Sequence, residues 1–179
     1  VSSGLTTGQI AALTTTQVAA IETQDIAALK TTQVQALSTS PVQAGLTTAQ
    51  VVALSTGQIQ SLTTGQVVAL STTQVAALET QDVAALKTSQ IQALKTSQVA
   101  ALTTDQVAQG LTTTQVAALT TAQVAQGLTT TQVAVLTTQQ QVASLLTTQV
   151  GKLTTAQIRA LTTDQIQVLT TAQIAALTT

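Results

Sequence analysis

The sequence predicts an all-α solenoid of very short helices, one in each repeat of eight or nine residues. A leucine recurs about every eight residues from Leu5 onward, and a valine or isoleucine follows it by five residues in nearly every unit. The residues around this second apolar position are mostly Gln and Ala, which favour helix. The second apolar residue and the next leucine are usually three apart, so they share one helical face.

The repeat covers almost the whole chain. Residues 1–4 form a short leader stub and 5–179 a single repeat array, with 17 units of eight residues, four of nine, and a partial unit at 177–179. A longer period lies above this one, because IETQDIAALKTTQVQAL from Ile21 returns as LETQDVAALKTSQIQAL from Leu78, 57 residues later. The chain therefore divides into super-repeats at 5–61, 62–118 and 119–176.

The positions of the octad, numbered from its leucine, differ in what they accept. Position six is Val or Ile in nearly every unit, and position three is Thr in every unit, whereas position two also accepts Ser, Glu, Lys and Leu146. Position five is Gln in 18 units, and Asp25, Asp82 and Pro41 occupy it in the others. We expect positions one and six to be buried and positions two, four and seven to be exposed. Accordingly, Leu70→Ala should be costly and Ser71→Lys nearly neutral.

Helix start and stop signals fit this frame. The invariant Thr at position three is the predicted N-cap, since its hydroxyl can accept a hydrogen bond from an amide two or three residues on. Asp105 and Asp164 follow it directly, where a carboxylate complements a helix N-terminus. Pro41 falls in the first turn, where a missing N–H is harmless. Glycine ends three of the nine-residue units, where we expect a left-handed C-terminal residue: Gly45, Gly110 and Gly127.

A continuous helix and a β-solenoid are the alternatives. In one long helix, eight residues advance by about 800°, so successive leucines would shift by roughly 80° and form no stripe. The chain must therefore break once per octad. Thr, Val and Ile would suit a β-solenoid, but the apolar residues do not alternate with a period of two. We favour the helical version.

The sequence predicts no enzyme, no catalytic residue, no cofactor, no metal site and no small-molecule substrate. It has no His or Cys, and its many hydroxyl groups have no neighbouring base. Two carboxylate pairs could suggest acid and base chemistry, but solvated glutamate–lysine pairs between successive units explain them better. These residues are Glu22 with Asp25, Glu79 with Asp82, and the partners Lys30 and Lys87. The recurring Gln could bridge coils or could cap and solvate helix starts, and we favour the second.

Composition also limits the partners. The formal net charge of −1 argues against nucleic acid, and no apolar run exceeds four residues, which argues against membrane insertion. The array opens after VSSG and stops at 177–179 without a capping unit. We therefore expect either a segment of a longer repeat region or end-to-end association of copies.

The phrase L-T-T-x-Q-V-A-A-L resembles the tandem octad arrays of very large bacterial secreted, adhesin-like surface proteins, some of which are described as haem-utilisation proteins. The resemblance covers residues 5–179. It implies an extracellular or cell-surface structural protein, as a filament subunit or adhesin stalk that associates with itself. No His, Met, Cys or Tyr is available as a haem ligand. Ice or other surface binding through threonine arrays is the alternative function.

Overall fold

The chain is built from short helices throughout the part that the structure describes. A computed structural model describes residues 4–137 and 141–177, and within these ranges every regular element is a helix. The chain divides into two compact units, Val1–Ala93 and Leu94–Thr179. The prediction of an all-α repeat solenoid is confirmed, and the β-solenoid alternative is wrong.

Each helix occupies one repeat and is four to six residues long. The helices of the first unit are Thr7–Ala11, Thr15–Ala19, Thr23–Ala27, Thr31–Ala36, Pro41–Gly45, Thr48–Ala53, Thr56–Ser61, Thr64–Ala69, Thr72–Ala76, Thr80–Ala85 and Thr88–Ala93. Those of the second unit are Thr96–Ala101, Gln106–Gly110, Thr113–Ala118, Gln123–Gly127, Thr130–Val135, Thr147–Val150, Thr155–Ala160, Thr163–Gln167 and Thr171–Ala176.

The N-cap lies at position two of the octad, which corrects the prediction of position three. Thr63 has the extended backbone of an N-cap, and its hydroxyl accepts a hydrogen bond from the Gln66 N–H at 3.2 Å. In return, the Gln66 side-chain oxygen accepts from the Thr63 N–H at 2.9 Å. This reciprocal pair is a capping box. Position three is therefore the first helical residue, and no hydrogen bond of the described residues explains why it is always Thr.

The glutamine half of the box also forms where position two has no hydroxyl group. The Lys30 N–H donates to the Gln33 side-chain oxygen at 2.8 Å, and the Leu146 N–H donates to that of Gln149 at 2.6 Å. The cap therefore depends more on Gln at position five than on the residue at position two. This explains why the residue at position two varies. Because it varies, the invariant Thr at position three was predicted as the N-cap instead.

Helices that lie about three octads apart in the sequence pack beside one another. In the first unit, Thr7–Ala11 packs against Thr31–Ala36, and Thr56–Ser61 packs against Thr80–Ala85. In the second unit, Thr130–Val135 packs against Thr155–Ala160. We call each such return of the chain a coil. The leucine at position one makes the bend, since Leu70 leaves the helical region with φ −55° and ψ 137°.

The core of each unit consists of positions one and six, as predicted. Val67 and Leu70 are 1% and 5% exposed, and the same pair is buried in the neighbouring octads. Position five was not predicted to be buried, yet Gln66 is only 2% exposed. The interior therefore contains a polar row beside its two apolar ones.

Units of nine residues absorb their extra residue as a turn of π-helix. In three of them the N–H of the next leucine bonds to the carbonyl five residues back, from Leu46 to Pro41, Leu111 to Gln106 and Leu128 to Gln123, at 2.9–3.0 Å. Pro41 lies in the first turn of its helix, as expected.

The glycines that end these units are not left-handed, because no described residue has a positive φ angle. Gly45 and Gly127 allow a close approach of neighbouring helices instead. A Cβ atom at Gly45 would lie 2.8 Å from the Thr15 carbonyl oxygen, and one at Gly127 would lie 3.0 Å from the Val99 Cβ.

Candidate functional site: the coil-to-coil interface

The glutamine at position five joins one coil to the coil before it. The side-chain oxygen of Gln58 accepts from the Ser55 N–H at 2.7 Å, which closes the start of its own helix. Its side-chain nitrogen donates to the carbonyls of Ile26 at 3.0 Å and Leu29 at 2.7 Å, at the end of a helix in the preceding coil. One buried amide thus satisfies backbone groups of two helices, which would otherwise lie unpaired in the interior.

The same bridge recurs in both units. Its members in the first unit are Gln33, Gln50, Gln58, Gln66, Gln74 and Gln90. Its members in the second unit are Gln123, Gln132, Gln141, Gln149, Gln157, Gln165 and Gln173. The two roles considered for Gln are therefore combined, since it bridges coils and caps helices. The expectation that it is solvated is wrong.

The two faces of a coil differ. In the first coil of the first unit, Val18 at position six is fully buried, whereas Leu13 at position one is half-buried and Gln17 is exposed. In the last coil of the second unit, Leu169 and Gln173 are buried while Ile174 is 49% exposed. Position six therefore faces the following coil, and positions one and five face the preceding coil. The donors of one face meet the carbonyl acceptors of the other.

Asp82 is a departure from this pattern. It takes the place of Gln and is 1% exposed, and neither carboxylate oxygen has a hydrogen-bond partner. Glu79, which the sequence pairs with it, stays exposed at position two, where its carboxylate accepts from the Gln81 side-chain amide at 2.5 Å. The two carboxylates therefore have different environments. Burial raises the pKa of the Asp82 carboxyl, the nearby Glu79 backbone N–H lowers it, and the Glu79 charge raises it.

The other acidic pair lies on the first coil. Asp25 is half-buried and lines a surface concavity with Leu5, Ile21, Glu22 and Leu29. The concavity lies on the face of the first coil that presents positions one and five. Leu5 and Ile21 are half-buried there, unlike the leucines of interior coils.

Within residues 4–137 and 141–177, no group of three or more His, Cys, Asp or Glu side chains could hold a metal ion. None of the helices in these ranges has the length and apolar character needed to cross a membrane.

Residues 18–56, 44–80, 75–109 and 142–179 match the ALTTAQ repeat. The chain belongs to the ALTTAQ repeat family. No curated protein and no solved structure matches it. The letters of the ALTTAQ repeat occur in full at residues 118–123. In structural terms they run from the end of one helix, through the leucine at the bend and the N-cap threonine, to the bridging glutamine. The family motif is thus the coil-to-coil joint itself.

Proposed function

We propose that this ALTTAQ repeat array is a structural protein that works outside the cell, as a filament subunit or the stalk of a bacterial surface adhesin, and associates end to end with its own copies. The observation that carries the proposal is the difference between the two faces of each coil. One face presents Val or Ile with backbone carbonyls, and the other presents Leu with glutamine N–H donors.

Because the two faces of a coil are complementary, a second copy of the chain fits the exposed face of the first or the last coil. Within each unit, the position-six face of one coil is already covered by the position-one and position-five face of the next. The last coil of the second unit leaves Ile166 and Ile174 45% and 49% exposed, and the first coil of the first unit leaves Gln9 and Gln17 exposed. A contact between these faces joins unlike surfaces, so it does not close a pair and can repeat from copy to copy along a filament.

The composition supports a structural role. The conspicuous buried polar row consists of neutral amides used for backbone hydrogen bonds. Threonines at position three lie at the starts of short helices, not in the flat β-type rows that would suit ice. No structural observation favours the ice-binding alternative, which an ice-recrystallisation assay would test directly.

Sedimentation velocity across a concentration series, with electron microscopy of the same samples, tests the proposal. We expect the 179-residue chain to form longer species as its concentration rises. The double variant Ile166→Lys with Ile174→Lys should remain monomeric, because charges on this face cannot be buried unpaired. Gln167→Lys adds a charge at the exposed position seven of the same helix and serves as the control. A wild-type chain that is monomeric throughout, or a double variant that assembles like the control, would refute end-to-end association.

A further inference from the structure

The coil contact at Asp82 lacks the donor that every neighbouring contact in its unit has. In the register of Gln58, Gln66 and Gln90, the side chain at position 82 faces the carbonyls of Val51 and Leu54. The helix that carries Asp82 packs against Thr56–Ser61, which follows these carbonyls directly. No hydrogen bond among the described residues reaches the Leu54 carbonyl. By this register, the buried carboxyl group of Asp82 stands in place of a glutamine amide that would donate to these carbonyls, and neither of its oxygens has a hydrogen-bond partner.

The helix that packs against Asp82 from the preceding coil carries no cation. The helix Thr56–Ser61 carries no titratable residue, and none occurs anywhere from Thr31 to Leu78. On the same turn as Asp82, the nearby charge is that of Glu79, which opposes ionisation. An ionised Asp82 would therefore be a buried charge without a partner, which is strongly unfavourable.

A protonated carboxyl group resembles the side-chain amide of glutamine. One oxygen can accept from a backbone N–H, and the other carries a proton that can be donated to a carbonyl. We propose that the coil contact at Asp82 is a pH-responsive joint, in which the protonated carboxyl group donates to a carbonyl of the preceding coil and its ionisation loosens the contact. The joint goes beyond the structural role proposed above and does not depend on self-association.

The sign of the pH effect follows from proton linkage. Because burial raises the pKa of Asp82 in the folded chain, the folded chain binds more protons than the unfolded one in this range. The stabilisation is complete below the unfolded pKa of about 3.9 and is lost as the pH rises through the folded value. The equilibrium for local opening should rise tenfold for each unit by which the folded pKa exceeds the unfolded one.

Carboxyl-carbon NMR titration of the wild-type chain is the direct test. We expect the Asp82 signal to titrate above the ordinary pKa of an aspartate carboxyl group, about 3.9, because burial raises its pKa. Asp164, an exposed acid in the first turn of its helix, is the control site. Hydrogen exchange at the amides of residues 51–54 and 82–86, corrected for intrinsic rates, should speed up from pH 4 to pH 8. In Asp82→Asn, which keeps the shape and cannot ionise, this acceleration should disappear, whereas Asp164→Asn should behave as the wild type does.

Three results would overturn the joint. Asp82 could titrate at or below the ordinary aspartate value of about 3.9, which would show an ionised or hydrated carboxylate. Asp82→Asn could keep the full pH dependence of exchange. Sodium, potassium or calcium ions could slow exchange at pH 8 in the wild type and not in Asp82→Asn, which would make this a cation site. If Asp82→Asn does not fold, the wild-type titration decides alone.

Discussion

The glutamine at position five uses both ends of its amide. Its oxygen closes the helix that contains it, and its nitrogen closes a helix of the preceding coil, as the contacts of Gln58 show. The sequence analysis favoured capping and solvation of helix starts over a bridge between coils, whereas the structure shows capping and bridging by the same amide. The sequence did contain a signal for burial: position five is Gln in 18 units, whereas position two, which follows the leucine at the bend, varies. An exposed capping residue would not need to be so constant.

Gln58→Ala tests this double role against Gln17→Ala. Gln17 caps its helix in the same way, through the Thr14 N–H at 2.8 Å, but it is exposed on the first coil. The Gln17 change should cost about 1 kcal/mol of unfolding free energy, the usual value for a cap. The Gln58 change also leaves buried carbonyls unsatisfied, at about 1–3 kcal/mol for each group. Urea denaturation measures both, and equal losses would show that the bridge adds nothing.

The N-cap at position two also changes an expectation for Ser71. The Ser71 hydroxyl accepts from the Gln74 N–H at 3.1 Å, so Ser71→Lys removes a cap and is no longer expected to be neutral. Lysine at the same position elsewhere shows that the fold tolerates this loss.

At the scale of the element, the π-helical turns show what could not be predicted from a repeat alone. The glycines were recognised as the ends of nine-residue units, but a glycine is suited both to a left-handed residue and to a close backbone contact. Only the packing distinguishes these uses. Gly45 lies within a turn of ordinary handedness, against the backbone of the helix that begins at Thr15.

Gly45→Ala and Gly57→Ala should therefore have opposite effects on stability. Alanine is the better helix former at both sites. At Gly57 a Cβ atom meets nothing within 4 Å, so the change should stabilise the chain by about 0.5–1 kcal/mol. At Gly45 the Cβ would lie 2.8 Å from a backbone oxygen, and overpacking of this kind costs about 1–3 kcal/mol. Thermal unfolding of the two variants gives the signs, and stabilisation at both sites would contradict the close approach.

At the scale of the whole molecule, the helical repeat, its two apolar rows and the octad boundaries could be predicted from the sequence. Leu and Val recur with the period at which their side chains are buried. A period of eight residues would not keep them on one face of a continuous helix, so the helix must end in each octad. The number of octads in a coil could not be predicted, because it depends on the bend at each leucine. The contacts supply it: helices three octads apart pack together, and Gln58 reaches 29 residues back to Leu29, so a coil contains between three and four octads. The 57-residue super-repeat of seven octads is therefore about two coils long.

Leu70→Ala and Leu13→Ala test how far stability depends on the covering coil. Leu70 is 5% exposed between two coils, so its loss should cost about 2–5 kcal/mol. Leu13 occupies the same octad position on the first coil and is half-buried, so its loss should fall below about 2 kcal/mol. Chemical denaturation of both variants provides the comparison. Similar losses would mean that each octad is stabilised mainly within itself.

The π-helical turn allows one additional residue in an octad without disturbing the packing of the following repeats. A ninth residue widens one helix, and the next leucine still begins its bend in the correct place, as Leu46 does after Gly45. Adding a single codon to a repeat does not then disturb the repeats downstream, provided that the new residue, like glycine, leaves room for the neighbouring helix. Arrays of this kind can therefore tolerate single-residue insertions while each coil still packs against the coil before it.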